Sequence, residues 1–268
     1  MLAHAFGPVD AWPDQDLVGF SNDLDVDITM AAYSSGLFPM PLHESGFGGM
    51  CWWSPMNRGV IELSALRVHR SLRKMAKHYT TTVDTAFDRV ILACADPHRP
   101  GGWIDDEITR VYTELFGRGI VHSVETWDPE GRLVGGLYGV SMGGLFAGES
   151  MFHDPEAGRD ASKVALVRLA GILGASTGTG LTSEVMAPAT PAGSLVGAQL
   201  SGPGGAGALL DVQWLTPHLA TMGAVEIPRR RYLHLLGAAL DRPGAVWPTA
   251  DDSRRRGYGV LPEGIGHG

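Results

Sequence analysis

The stretch GLYGVSMGGLFAGESMF spans residues 136–152 and is apolar or glycine almost throughout, yet Glu149 sits inside it. Two runs with strand composition flank Gly143-Gly144, a pair suited to a tight turn. Side chains alternate between the faces of a strand. Strict alternation puts Leu145, Ala147, Glu149 and Met151 on one face, and Phe146, Gly148, Ser150 and Phe152 on the other. Both faces are largely apolar, so the second run reads as a central strand and Glu149 as at least partly buried. A buried, ionised carboxylate needs a partner or several donors. Either it pairs inside the fold, with Arg168 or Arg229 as candidates, or it holds a cationic ligand at the mouth of an apolar site.

Outward from this hairpin the pattern is meander-like. HSVETW (122–127), DPEGR and LVGGLYGVSM form an earlier hairpin. DASKVALVRLAGIL (160–173) reads as a helix, with Asp160 or Ser162 near its N-cap. LLDVQWL (209–215) reads as a strand, TPHLATMG as a short helix with Pro217 at its first position, AVEI as a strand and RRRYLHLLGAAL as a closing helix. On the N-terminal side, residues 28–38 predict a helix ending at Gly36, 66–78 a basic helix, 79–85 a strand and 85–95 a helix. Asp105 or Asp106 is placed to cap a helix that stops near Gly117. These elements predict an α+β fold. The expected organisation is a small N-terminal domain over 1–62 and a larger domain over 63–247. A flexible insertion is expected at about 174–208, rich in Gly, Ala, Ser, Thr and Pro, and an unstructured tail over 248–268.

The chain has 268 residues, 44% hydrophobic and 19% charged, enough to build a core, and a formal net charge of -8. A protein that grips long nucleic acid through many phosphates is usually basic, so any such contact is expected to be local. Cys51 and Cys94 form no spaced cluster, which suggests neither a disulfide framework nor a zinc site. The first residues, MLAHAFGPVD, lack a basic, apolar leader, and no apolar run is long enough to span a bilayer. A soluble cytoplasmic protein is expected.

A second polar pair stands in LLDVQWL. Asp211 and Gln213 are i and i+2, expected on one strand face with Leu209 and Leu215, roughly 7 Å apart at ~3.3 Å per residue. They suggest either a built site or a strand-end pair bonded to nearby backbone.

WWSPMNRGVI (52–61), GGWIDDEI (101–108), HSVETW, LVGGLYGVSMGGLFAGESMF (133–152), ASKVAL (161–166) and DVQWLTPHLATMGAVEIPRRRYL (211–233) occur in this order. The combination resembles the leucyl/phenylalanyl-tRNA–protein transferase family, over about residues 17 to 236. The resemblance implies a small N-terminal domain followed by an acetyltransferase-like (GNAT-type) domain. It also implies an activity: transfer of leucine or phenylalanine, less readily methionine, from aminoacyl-tRNA to proteins that begin with Arg or Lys. The product is an N-terminal degradation signal. The donor ester is already activated, so no cofactor or metal is required.

By similarity, Asp211, Gln213 and Glu149 form the catalytic group. Asp211 takes up or orients a proton, Gln213 aligns the amine or relays its proton, and Glu149 holds the acceptor's cation. An aspartate at its ordinary pKa of ~3.9 is a weak base, so both roles of Asp211 stay open. Leu137, Phe146, Leu166, Leu169, Leu173 and Leu210 are implied as the pocket for the aminoacyl side chain. Trp103 is implied to stack on the terminal adenosine of the tRNA, with Met40 beside it where some relatives carry tryptophan. Arg70, Arg73, Lys74 and Lys77 on the basic helix form a local candidate for tRNA phosphates, and Arg229 to Arg231 a second one. A monomer is expected. An acyl-CoA N-acetyltransferase and a non-catalytic binder of N-termini or RNA ends are the rival classes. HDPEAGRDASK (153–163), with three acidic residues and one arginine, is a poor phosphate cradle for the first. The second leaves Asp211 and Gln213 without a task.

Overall fold

The computed structural model of the chain describes residues 6–42, 49–99, 102–177, 208–249 and 252–256. The N-terminal part holds strand β1 (Leu17–Ser21), helix α1 (Val26–Ser35), β2 (Phe38–Pro39) and β3 (Met50–Trp53), with the strands in the antiparallel order β1-β3-β2. Asp25 caps α1 by accepting from the Ile28 N–H, and Gly36 ends it in the left-handed conformation that glycine adopts without strain.

Eight strands form the second sheet. In chain order its elements begin with β4 (Asn57–Ile61), helix α2 (Arg70–Ala76), β5 (Thr80–Val83), and helices α3 (Phe87–Cys94) and α4 (Asp106–Gly117). The long antiparallel run β6 (Val121–Trp127), β7 (Leu133–Met142) and β8 (Leu145–His153) leads into α5 (Ala161–Thr177). The chain returns with β9 (Leu209–Gln213), α6 (Pro217–Thr221), β10 (Val225–Pro228), α7 (Arg229–Leu240) and β11 (Arg255–Arg256). The spatial order is β10-β4-β9-β8-β7-β6-β5-β11. All neighbours are antiparallel except β8 and β9.

Apolar side chains cover both faces. On one face α1, α3, α4 and α7 pack around Tyr112, Tyr138, Leu145 and Ala147. On the other, α5 lies across β6, β7 and β8, with Val124, Leu137, Phe146 and Leu210 beneath it. From Val164 to Gly174 every residue of α5 is buried, as expected of a helix apolar all round.

The predicted element types match those observed, with four corrections. The boundary drawn near residue 62 falls after β4, which is a strand of the larger sheet, so that sheet begins at Asn57. The basic helix is shorter than 66–78, because Leu66 to Val68 run extended with the Arg67 N–H bonded to the Met222 carbonyl. The insertion expected from residue 174 starts later, since α5 continues to Thr177; residues 178–207 lie outside the described residues. The tail is not wholly without structure: Arg255 and Arg256 pair with Thr81 and Thr80.

Strict alternation also fails along β8. Tyr138 pairs with Ser150 but Gly139 with Gly148, so Glu149 is the extra residue of a bulge. Met151 consequently packs with Phe146 and Leu137, and Phe152 packs with Leu145 and Ala147, the reverse of the expected faces. Gly139 permits the bulge: a Cβ there would stand 2.3 Å from the Ala147 carbonyl oxygen. A second irregularity occurs in β9, where Val60 pairs with Asp211 and Gly59 with Gln213, leaving Val212 extra. Gln213 has φ 64°. Leu215 is thereby turned to the α5 side while Leu209 stays on the other, so they do not share a face.

Candidate active site

Strands β8 and β9 run side by side only as far as Ala147 and Asp211. Beyond that point β8 continues along β7, while β9 turns at Val212 and Gln213 toward β4. The gap opens a cavity of about 350 Å³ with a mainly apolar wall. Leu137, Phe146, Leu166, Leu169 and Leu210 line it, as do Glu149 and Gln213. These expected residues are therefore brought together. Sequence reading missed Met151, Val212, Trp214, Thr216, His218 and Leu219 on the same wall. Met151 reaches it through the β8 bulge, and His218 and Leu219 through α6; neither event leaves a mark in local periodicity.

Glu149 is buried on the wall of this cavity. Its Oε1 accepts from Gln213 Nε2 at 3.1 Å and its Oε2 from the Tyr112 hydroxyl at 2.9 Å. The Tyr112 and Tyr33 hydroxyls are 2.5 Å apart, so the α1 helix joins the network. Burial pushes the Glu149 carboxyl up to about 7, against the pull of the Tyr33 and Tyr112 hydroxyls and of Arg58, and with the push of Asp211. Neither Arg168 nor Arg229 pairs with it. The Arg229 guanidinium is held by the carbonyls of Pro13, Gln15 and Ser54.

Asp211 is fully buried and is not part of the cavity wall. Its Oδ1 accepts from Arg58 Nε at 2.8 Å and from the Gln213 N–H at 2.9 Å. Its Oδ2 accepts from Arg58 Nη2 at 2.6 Å and the Tyr232 hydroxyl at 2.8 Å. Arg58 also donates to the carbonyl of Gly36, which caps α1, and lies over the rings of Phe38 and Tyr232. This fork-shaped pair is fully buried, and both ions have their hydrogen bonds met. Asp211 thus holds the Gln213 backbone in its left-handed turn, and that turn sends the Gln213 amide across the gap to Glu149.

The other candidates are spread around the cavity. Leu173 is buried in the α5 core but forms no part of the wall. Trp103 is half-buried on the loop between α3 and α4, which is tied to β8 by Arg99 Nη2 donating to the Met151 carbonyl at 2.6 Å. Met40 accepts at its carbonyl from Trp53 Nε1; Trp53 packs edge-on against Trp214, and Trp214 lines the cavity. Arg70 and Lys74 are exposed on α2, Lys77 is exposed at its C-cap, and Arg73 is half-buried. The turn before α5 is closed by Asp154, which accepts the N–H groups of Glu156 and Ala157.

A family model described as leucyl/phenylalanyl-tRNA protein transferase matches residues 60–191, and the model of that family's N-terminal domain matches residues 22–56. The leucyl/phenylalanyl-tRNA–protein transferase of Afipia carboxidovorans is 38% identical over 247 residues, covering 90% of this chain and 93% of the relative. The chain belongs to the leucyl/phenylalanyl-tRNA–protein transferase family. The family member of Rhodospirillum rubrum is 41% identical over 223 residues, 81% of this chain and 88% of the relative. That of Chlorobaculum tepidum is 37% identical over 223 residues, 82% and 97% respectively. As a member of this transferase family the chain is an enzyme, and the matched span contains Glu149 and the β8 strand that carries it. Among the described residues no helix is long and apolar enough to cross a membrane.

Proposed function

We propose that this transferase moves leucine or phenylalanine, and less readily methionine, from aminoacyl-tRNA to the α-amino group of proteins beginning with Arg or Lys. The observation that carries the reading is the leucine-lined cavity with the buried Glu149–Gln213 pair on its wall. The parallel strands that part at this point support an acetyltransferase-like domain, in which donor and acceptor meet in the gap. The apolar wall takes the aminoacyl side chain. Such a wall separates side chains by shape, with one methylene worth ~1–3 kcal/mol, so Leu, Phe and Met overlap.

The acceptor ammonium loses a proton, and its nitrogen attacks the ester carbonyl. The C–N bond forms, the bond to the ribose oxygen breaks, and that oxygen takes a proton. A free α-amine has a pKa of ~7.7–8.0, so a carboxylate near 7 is matched to receiving its proton. Ionised Glu149 also favours an acceptor whose first side chain is cationic. Gln213 aligns the amine from the other side of the gap. Asp211 acts as an orienting group rather than the base, because Arg58, Tyr232 and the Gln213 N–H already occupy its oxygens. Trp103, Met40 and the basic face of α2 remain the proposed contacts for the tRNA end, and the reagent places the reaction in the cytoplasm. The occupied N–H groups of the turn before α5 give a CoA pyrophosphate no cradle, which weighs against an acyl-CoA donor.

The test is transfer of radiolabel from Leu-tRNA and Phe-tRNA to paired peptides starting with Arg, Lys or Ala. Label on the Arg and Lys peptides alone is expected. No label on any peptide, with the donor intact, would overturn the reading.

A further inference from the structure

The chain beyond α7 crosses from one face of the sheet to the other. Tyr232 and Leu236 of α7 belong to the first apolar cluster, whereas Ala245 and Trp247 pack against the second, under α5. The crossing runs past the β7–β8 turn, where a Cβ on Gly143 would meet the carbonyl oxygens of Ala239, Leu240 and Arg242 at 2.6–3.0 Å. It is then fastened to the end of α5, as the Val246 N–H donates to Ser176 Oγ at 2.9 Å. Trp247, half-buried, stacks its ring on that of His122, with centroids 3.9 Å apart and planes 11° from parallel. His122 is itself held: its Nδ1 donates to Asp84 Oδ2 at 2.6 Å, and Asp84 Oδ1 accepts the Ser123 N–H at 2.7 Å.

This braced indole adjoins a wall of the cavity. His122 on β6 lies opposite Gly139 on β7. The Phe146 ring of β8 spreads over Gly139, since a Cβ there would stand 2.6 and 2.8 Å from its Cε1 and Cζ. The Trp247 ring lies 5.8 Å from the Phe146 ring, tilted 45°, within the usual range of an aromatic pair. Trp247 is not part of the cavity wall, but Phe146 is, together with Leu210, its register partner on β9. The row across the sheet is therefore Trp247 above β6, Phe146 over β7 and Leu210 on β9. Phe146 stands between Trp247 and the cavity. A close-packed ring stays where its neighbours keep it, and deleting one neighbour leaves space into which it partly relaxes.

We propose that Trp247 is a positioning residue of the donor pocket: it blocks the retreat of the Phe146 ring toward β6 and so sets the room left for the aminoacyl side chain. The proposal rests on the cavity being the donor pocket, as proposed above. Shape is what an apolar pocket reads, and one methylene is worth about 10–200-fold in discrimination. Removing the indole should therefore favour the larger donor.

The test uses one tRNA body charged with Leu or Phe and an Arg-initiated peptide, and reads the ratio of kcat/KM for Phe to that for Leu. In Trp247→Ala the ratio is expected to rise at least about tenfold over wild type, the low end for one methylene. Trp247→Phe, which keeps a ring, should return it to within about threefold of wild type, the change expected where the pocket wall is kept. Ser176→Ala loosens the fastening without touching either ring and should raise the ratio in the same direction by less, which keeps the proposal testable should Trp247→Ala not fold. In a Phe146→Leu background, Trp247→Ala should shift the ratio less than about threefold, because the ring it acts through is gone. A ratio unchanged or lowered in a folded Trp247→Ala protein, including an equal loss on both donors, overturns the proposal and leaves Trp247 as cover for the core. An undiminished shift in the Phe146→Leu background overturns the route through Phe146. Wild type that transfers neither Leu nor Phe would instead overturn the donor reading beneath it.

Discussion

At the residue scale, Glu149 combines a proposed role in transfer with a cost to folding. In an unfolded chain its carboxyl titrates at the usual 4.5, and in the fold burial lifts it to about 7. The folded state therefore binds this proton more tightly. The stability it supplies is fully present below 4.5 and is lost as pH rises through about 7. The upper value of that loss is roughly 3 kcal/mol, from ~1.36 kcal/mol per pKa unit. Glu149→Gln removes the ionisation. Its melting temperature relative to wild type is expected to rise between pH 5 and pH 8, while transfer to Arg-initiated peptides falls at least about 30-fold, the low end for truncating a buried charge contact. Buried Glu125, also raised, contributes the same slope to both proteins and cancels in the difference. Parallel stability curves for the two proteins would mean that Glu149 carries no buried charge. Glu149, Asp211 and Gln213 were legible in the sequence because a charge or amide inside an apolar strand is conspicuous. Their partners were not. Arg58 and Asp211 are 153 positions apart, and Tyr112 and Glu149 are 37 apart. Residue type alone also left Asp211 open as base or orienting group, and only the saturation of its oxygens favours the latter.

At the element scale, periodicity located strands and helices well but missed the two bulges that build the site. Alternation assumes one residue per pleat, and an inserted residue inverts everything beyond it. That is why the expected faces hold for Leu145 to Ala147 and reverse at Met151. The trace in the sequence is Gly139, on the partner strand rather than on the bulge itself. Gly139→Ala would force its Cβ against the Ala147 carbonyl oxygen and the Phe146 ring at 2.3–2.8 Å. The strands cannot approach that closely with the bulge intact, so the variant is expected to lose about 2–4 kcal/mol of stability, at the upper end for single substitutions. Urea unfolding measures this. Any protein that survives should show transfer reduced well beyond its loss of folded fraction, since Glu149 would no longer meet Gln213. A Gly139→Ala protein with wild-type stability and transfer would show that the bulge does not place Glu149.

At the scale of the whole molecule, the N-terminal three-stranded part and the eight-stranded sheet share a single core, although family comparison treats them as two units. Phe38, Tyr33 and Trp52 pack in the same apolar cluster as Tyr112, Tyr138 and Tyr232. Arg58 of the larger sheet donates to Gly36 of the smaller part, and Trp214 packs against Phe38 and Trp53. The sequence suggested separable modules because Pro, Gly and Trp content shifts near residue 62, but composition does not report which core a side chain enters. A domain that cannot close its core alone should not unfold alone. Thermal unfolding is therefore expected to be one transition: tryptophan fluorescence, from seven tryptophans spread over both parts, should coincide with far-ultraviolet circular dichroism, weighted toward the helices of the larger part. Phe38→Ala removes a ring with 1% exposure from the joint. It should lower both signals together, by about 3–5 kcal/mol in the free energy of unfolding, the usual cost of a buried phenylalanine. Two resolved transitions, with only the first moved by Phe38→Ala, would mean that the N-terminal part folds independently. Glu149 would then depend on Tyr33 only through a docked interface rather than a common core.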